Sequence, residues 1–79
     1  MLQIDLGLKI QALRKQLGFS QEKFALQISM DRTYFASIES GKRNVSLVNL
    51  EKIANGLGIT LSELFLNLHS GEESDNRNE

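Results

Sequence analysis

Apolar positions along this chain recur at intervals of three and four residues and nowhere alternate with polar ones, which is the mark of helices rather than strands. Leu6, Ile10, Leu13 and Leu17 make one such stripe, on a helix expected from about Gln3 to Leu17 and stopped by Gly18 in the left-handed conformation. Lys9, Arg14 and Lys15 lie off the stripe and are assigned to a solvated face. Gly7 interrupts the pattern at a cost of roughly 1 kcal/mol relative to alanine, and the pattern offers no reason for it. Ser20 is a natural N-cap for a second helix with Phe24, Ala25 and Ile28 inside. At about two turns it is too short to persist alone, so it needs a third helix packed across it.

The third helix follows at once. Ser29 and Met30 make the turn, Asp31 caps, Phe35 and Ile38 point inward, and Gly41 ends the run. Ser46 caps a fourth helix, striped by Leu47, Leu50, Ile53, Ala54 and Leu57 and closed by Gly58. Thr60-Leu61-Ser62-Glu63 is a capping box, hydroxyl and carboxylate answering each other's backbone amides. It opens a last short helix bearing Leu61, Leu64, Phe65 and Leu68. With no proline and no alternating segment, the expected fold is all-α, a compact bundle of five helices.

Composition narrows the function classes. Seventy-nine residues, 41% of them hydrophobic, suffice for one small domain, and no apolar run approaches the ~18 residues of a membrane span. The opening MLQIDLGLKIQALRK lacks a basic leader followed by an apolar block, so cytoplasm is the expected compartment. There are no cysteines, which excludes a disulfide framework and a thiolate zinc site, and the lone histidine, His69, reads as a solvated residue. No Ser-His-Asp set, phosphate-cradling glycine loop or ligand cluster is present, so neither an enzyme nor a metal or other cofactor is expected.

The formal net charge of −1 argues at first against a nucleic-acid partner. Its distribution reverses that. Residues 1–69 hold eight Lys/Arg against six Asp/Glu, a balance of +2, whereas residues 70–79 hold one Arg against four acids, a balance of −3. The expected organisation is a mildly basic domain over 1–68 and an acidic, disordered tail over 69–79.

Within the domain, Gln21–Ser40 has the offsets of a helix-turn-helix. Counted from Gln21, the fifth position is the small Ala25, where a larger side chain would wedge the helices apart. The fourth, eighth, tenth, fifteenth and eighteenth are Phe24, Ile28, Met30, Phe35 and Ile38, all apolar. Roughly residues 4–68 resemble the lambda-repressor and Cro-like helix-turn-helix family. The run DRTYFASIESGKRNVSLVNLEKIANGLGI resembles, more narrowly, the controller proteins of restriction–modification systems, with Asp-Arg-Thr-Tyr, Ile-Glu, Gly and Arg-Asn-x-Ser at this spacing. Ser29 departs from the glycine common in the family's turn, at about 1 kcal/mol of backbone strain.

In such a protein the third helix lies in the major groove with its first residues at the base edges. Arg32 is the leading candidate for direct readout, since a guanidinium forks onto guanine O6 and N7, and Thr33, Tyr34 and Ser37 share its face. Gln21 resembles the glutamine with which the family holds a phosphate. Lys42, Arg43, Asn44 and Ser46 are the further candidate phosphate contacts, beside a helix N-terminus that favours anions. A carboxylate near DNA is repulsive, so Glu39 is expected to hold Arg14 or another basic residue in an internal ion pair, as the resemblance suggests. One domain this small offers too little surface for a specific site, and Leu61, Leu64, Phe65, Leu66 and Leu68 are the candidate joint of a homodimer.

The resemblance thus implies a homodimeric transcriptional regulator on a partly palindromic double-stranded operator. It would control its own promoter and the timing of endonuclease expression, with RNA polymerase as a candidate further partner and no membrane partner. A phage or plasmid repressor, an antitoxin-like regulator, and an interaction module that keeps the fold but binds protein are the alternatives.

Overall fold

The computed structural model describes residues 1–68, and the expectations for His69 and the acidic tail lie outside them. The helices are α1 (Leu2–Gln16), α2 (Gln21–Gln27), α3 (Arg32–Glu39), α4 (Leu47–Leu57) and α5 (Leu61–Phe65), with no strand among the described residues. Each start after the first has the cap that the sequence provides. Ser20 Oγ accepts from the Lys23 amide, Asp31 Oδ2 from Tyr34, Ser46 Oγ from Asn49 and Thr60 Oγ1 from Glu63, whose carboxylate answers the Thr60 amide to complete the box.

One core joins all five helices. Phe24, Phe35, Ile10, Ile38, Ile53 and Leu64 are its largest fully buried side chains. The Phe24 ring is the hub, with Phe35 at 5.2 Å between centroids and Phe19 edge-on at 5.8 Å. Burying such a side chain is worth about 1.5–3 kcal/mol, so a few of them exceed what caps contribute. α4 seats on α2 at Gly56, where an added Cβ would lie 3.0 Å from Phe24 Cζ.

The helix-turn-helix has the expected interior. Phe24, Ala25, Ile28, Phe35 and Ile38 are buried, and Met30 packs partly against them. The Met30 amide bonds back to the Ala25 carbonyl at 2.9 Å, which closes the turn, and Ser29 takes φ +57, the strained conformation expected of a serine there.

Three expectations are corrected by packing. α1 ends at Gln16, so Leu17 falls past the stripe and is 52% exposed. Arg14, assigned to a solvated face, is only 5% exposed. It continues the line of Leu6 and Ile10 at i+4 intervals, and a count of apolar residues passes over a charged one. Leu47, assigned to the inner stripe of α4, is 69% exposed because the stripe begins at Leu50.

Gly7, unexplained by periodicity, is now accounted for. It sits where α1 crosses the end of α3, and a Cβ there would lie 2.6 Å from the Ile38 carbonyl oxygen and closer still to that of Glu39. The crossing needs a bare backbone.

Candidate nucleic-acid interface

The exposed start of α3 is anchored from beneath by a buried polar cluster. Arg14 Nε donates to Glu39 Oε2 at 2.7 Å and Nη2 to Oε1 at 3.1 Å, a fork-to-fork pair between the last turns of α1 and α3. Arg14 Nη1 donates to the Phe19 carbonyl at 2.7 Å, tying in the link between α1 and α2. Gln21 Nε2 donates to Glu39 Oε1 at 2.9 Å, adding the first residue of α2. No buried side-chain polar atom among the described residues lacks a partner. Satisfying every group is what makes a buried ion pair tolerable, and here it fixes both helices of the motif to α1.

Above this base, Arg32 and Thr33 are exposed in the first turn of α3. Arg14–Glu39 is the one salt bridge among the described residues. Arg32 is therefore bound neither to Glu39, whose oxygens serve Arg14 and Gln21, nor to Asp31. Its guanidinium has no ionic partner among the described residues, on a helix whose first turn contains no acid.

Tyr34 and Ser37 are half-buried and held. Ser37 Oγ donates to the Tyr34 carbonyl at 2.6 Å and accepts from Arg43 Nε at 3.1 Å. The Arg43 guanidinium lies over the Tyr34 ring, 5.3 Å from its centroid, and the Tyr34 hydroxyl accepts from Asn49 Nδ2 at 3.1 Å. Arg43, a candidate phosphate contact, is laid against the exposed side of α3.

The remaining candidate phosphate contacts gather beside it. Ser37, Lys42, Arg43 and Asn44 line one open depression of about 430 Å³. Lys42 is exposed, while Asn44 Oδ1 accepts from Gln3 Nε2, which ties the loop to α1. Ser46 caps α4, whose first turn contains no acidic residue, so its positive end is left uncompensated for an anion. Gln21, half-buried, has one amide hydrogen committed to Glu39.

The expected dimer residues separate. Leu64 is fully buried in the monomer and is core, not surface. Leu61 and Leu68 pack partly against that core. Phe65 and Leu66 are exposed, Leu66 by 60%. The apolar surface also extends beyond α5, because Leu47 and the 68%-exposed Val48 line a groove of about 190 Å³ with Glu51 and Leu61. Lys9 Nζ donates to the Glu63 and Leu66 carbonyls at 2.8 and 2.6 Å, holding the end of α5 against α1.

Sequence reasoning missed Asn49, Gln3 and Lys9 as holding residues, and Val48 as exposed apolar surface. None of the first three belongs to a motif or an apolar stripe. Val48 did carry a signal, since it stands off the α4 stripe beside the equally exposed Leu47.

Residues 10–64 match the helix-turn-helix family model, over half of the chain. The chain belongs to that family. It is 66% identical over 65 residues to the control protein C.MunI of a Mycoplasma species, covering 81% of this chain and 88% of that one. Among solved structures, it resembles the restriction–modification controller protein C.AhdI from Aeromonas hydrophila at 44% identity and a TM-score of 0.76, over 78% of this chain and 94% of that one. It also resembles the controller C.Esp1396I, solved as a tetramer with its 35-base-pair operator, at 32% identity and a TM-score of 0.75, over 82% and 86% of the two chains.

As a helix-turn-helix protein of the controller type, the chain is a transcription regulator and not an enzyme. Among the described residues no helix is long and apolar enough to cross a membrane, and no cluster of His, Cys, Asp and Glu could hold a metal ion.

Proposed function

We propose that this chain acts in the cytoplasm as a homodimer on a partly palindromic operator, governing its own promoter and the expression of a restriction endonuclease encoded beside it. Residues 1–68 form the DNA-binding and dimerisation unit. The observation that carries the reading is Arg32, a guanidinium with no ionic partner among the described residues, at the exposed start of a helix whose opposite end is fixed by Glu39. A rigid helix with a free fork at its tip suits bidentate recognition of guanine in the major groove.

Thr33 and Tyr34 complete the base-facing turn. Lys42, Arg43, Asn44, Ser46 and Gln21 set orientation through phosphates, contacts that position the protein without specifying sequence. The dimer joins through Phe65 and Leu66, with Leu61 and Leu68 beneath them, and brings two copies of α3 one DNA turn apart, roughly 34 Å. Where the dimer sits upstream of a promoter, RNA polymerase becomes its further partner.

Binding titrations against the region upstream of the gene and against a scrambled duplex test the reading. Arg32→Ala is expected to cost roughly 1–3 kcal/mol on the upstream duplex alone. Lys42→Ala is expected to weaken both duplexes alike and to lower the salt slope by about one. Equal loss on the two duplexes from Arg32→Ala removes its readout role. A methyltransferase and an endonuclease gene alongside would support the controller assignment, and an integrase or toxin gene would redirect it.

A further inference from the structure

We propose that Asn49, on α4, is a positioning residue for the DNA-facing surface, acting through Tyr34 on Arg43. The proposal rests on the regulator reading above. Its basis is a closed circuit of Tyr34, Arg43 and Ser37, to which Asn49 is tied through the Tyr34 hydroxyl. Asn49 Nδ2 donates to the Tyr34 hydroxyl at 3.1 Å, which bridges α4 and α3 and pins the far end of the phenol. The pinned ring is the platform on which the Arg43 guanidinium lies. Arg43 Nε is received by Ser37 Oγ, and Ser37 donates in turn to the Tyr34 carbonyl, so the circuit returns to the residue where it began.

The chemistry sets what this achieves. Arginine has one of the largest rotamer entropies of any side chain, and a long cation on a loop loses most of it on docking to one defined group. The contact over the ring and the bond from Nε to Ser37 together restrict the orientation of the guanidinium. The two terminal nitrogens make no hydrogen bond among the described residues and stay available. Arg43 therefore meets DNA already oriented beside α3. Without Asn49 the ring keeps its packing against the core but loses the bond that fixes its hydroxyl end, and the platform loosens.

Asn49 is separable from the fold. Its backbone amide is capped by Ser46, a bond that an alanine would retain, and its side chain is only half-buried. Alanine is also the better helix former. Asn49→Ala should therefore alter the surface and leave the domain intact.

The experiment is a double-mutant cycle with Tyr34→Phe, read by titration on the upstream and scrambled duplexes, together with nitrogen-15 relaxation of the arginine Nε–H groups in the full chain without DNA. Asn49→Ala is expected to lower affinity for both duplexes by a similar factor, about three- to ten-fold, and to have no further effect once Tyr34 is phenylalanine. In relaxation, Arg43 Nε should be ordered in the wild type and become as mobile as Arg32 in Asn49→Ala.

A loss from Asn49→Ala that persists in full in the Tyr34→Phe background would mean that Asn49 touches a phosphate itself, and overturns the proposal. An Arg43 Nε equally mobile in wild type and variant overturns it as well. A wild-type chain that fails to discriminate the two duplexes defeats the regulator reading instead, and the relaxation result then still reports on the circuit.

Discussion

Arg14 shows how far a single residue's role depends on its surroundings. By spacing it is one of several cations off an apolar stripe, yet it is nearly as buried as Leu6 and forms a bidentate pair with Glu39. Removing either partner strands the other charge in the core, at about 3–5 kcal/mol. Against the 5–15 kcal/mol that typically holds a domain together, that is a large share. Arg14→Ala is therefore expected to shift urea unfolding strongly, whereas Arg14→Met with Glu39→Leu should recover much of the loss. Arg32 is the opposite case. It also flanks carboxylates in sequence, and it stays without an ionic partner among the described residues because Asp31 is used as a cap and Glu39 is saturated. Its availability was legible from position. The reason for it was not.

At the scale of elements, helix starts were written into the sequence and helix crossings were not. Ser20, Asp31, Ser46 and Thr60 are local devices that act within one turn, so they can be read without knowing what packs where. Gly7 is the contrasting case. Propensity alone would have Gly7→Ala stabilise α1 by roughly 1 kcal/mol. The carbonyls of Ile38 and Glu39 occupy the space that a Cβ needs, so the substitution must force α1 away from α3. The expected outcome is a net destabilisation of about 2 kcal/mol or more, checked by thermal unfolding, with the sign opposite to that of propensity. The α4 stripe likewise mislaid its first member, because a spacing that admits Leu47 does not say that the helix start stands clear of the core.

At the scale of the whole molecule, two surfaces carry different work. One bears Arg32, Thr33, Lys42 and Arg43, and another the exposed side chains of α5 with Leu47 and Val48. Phe65 and Leu66 are the exposed apolar residues of the proposed joint, and Leu64 is excluded from it by complete burial. Leu66→Asp is expected to weaken dimerisation about ten-fold or more, seen as a lower mass at equal concentration in sedimentation equilibrium, with the monomer's helix content unchanged. Leu64→Asp should instead unfold the chain. Val48→Asp separates a joint confined to α5 from one that extends onto α4, since only the wider joint would respond to it.

The sequence by itself determined the all-α class, the helix starts and the offsets of the helix-turn-helix, because caps, 3.6-residue periodicity and a small residue at a crossing act over a few positions. It also singled out Arg32 and the loop from Lys42 to Ser46, which stand on known sides of a recognisable motif. Tertiary structure decided what depends on a distant partner: that Arg14 is core, that Gly7 is a contact point, that Leu64 belongs inside, and that Asn49 and Arg43 close on Tyr34. Those pairs are 6 to 32 residues apart in the chain, from Arg43 with Ser37 to Gly7 with Glu39. Their chemistry exists only once α1 and α4 have packed against α3.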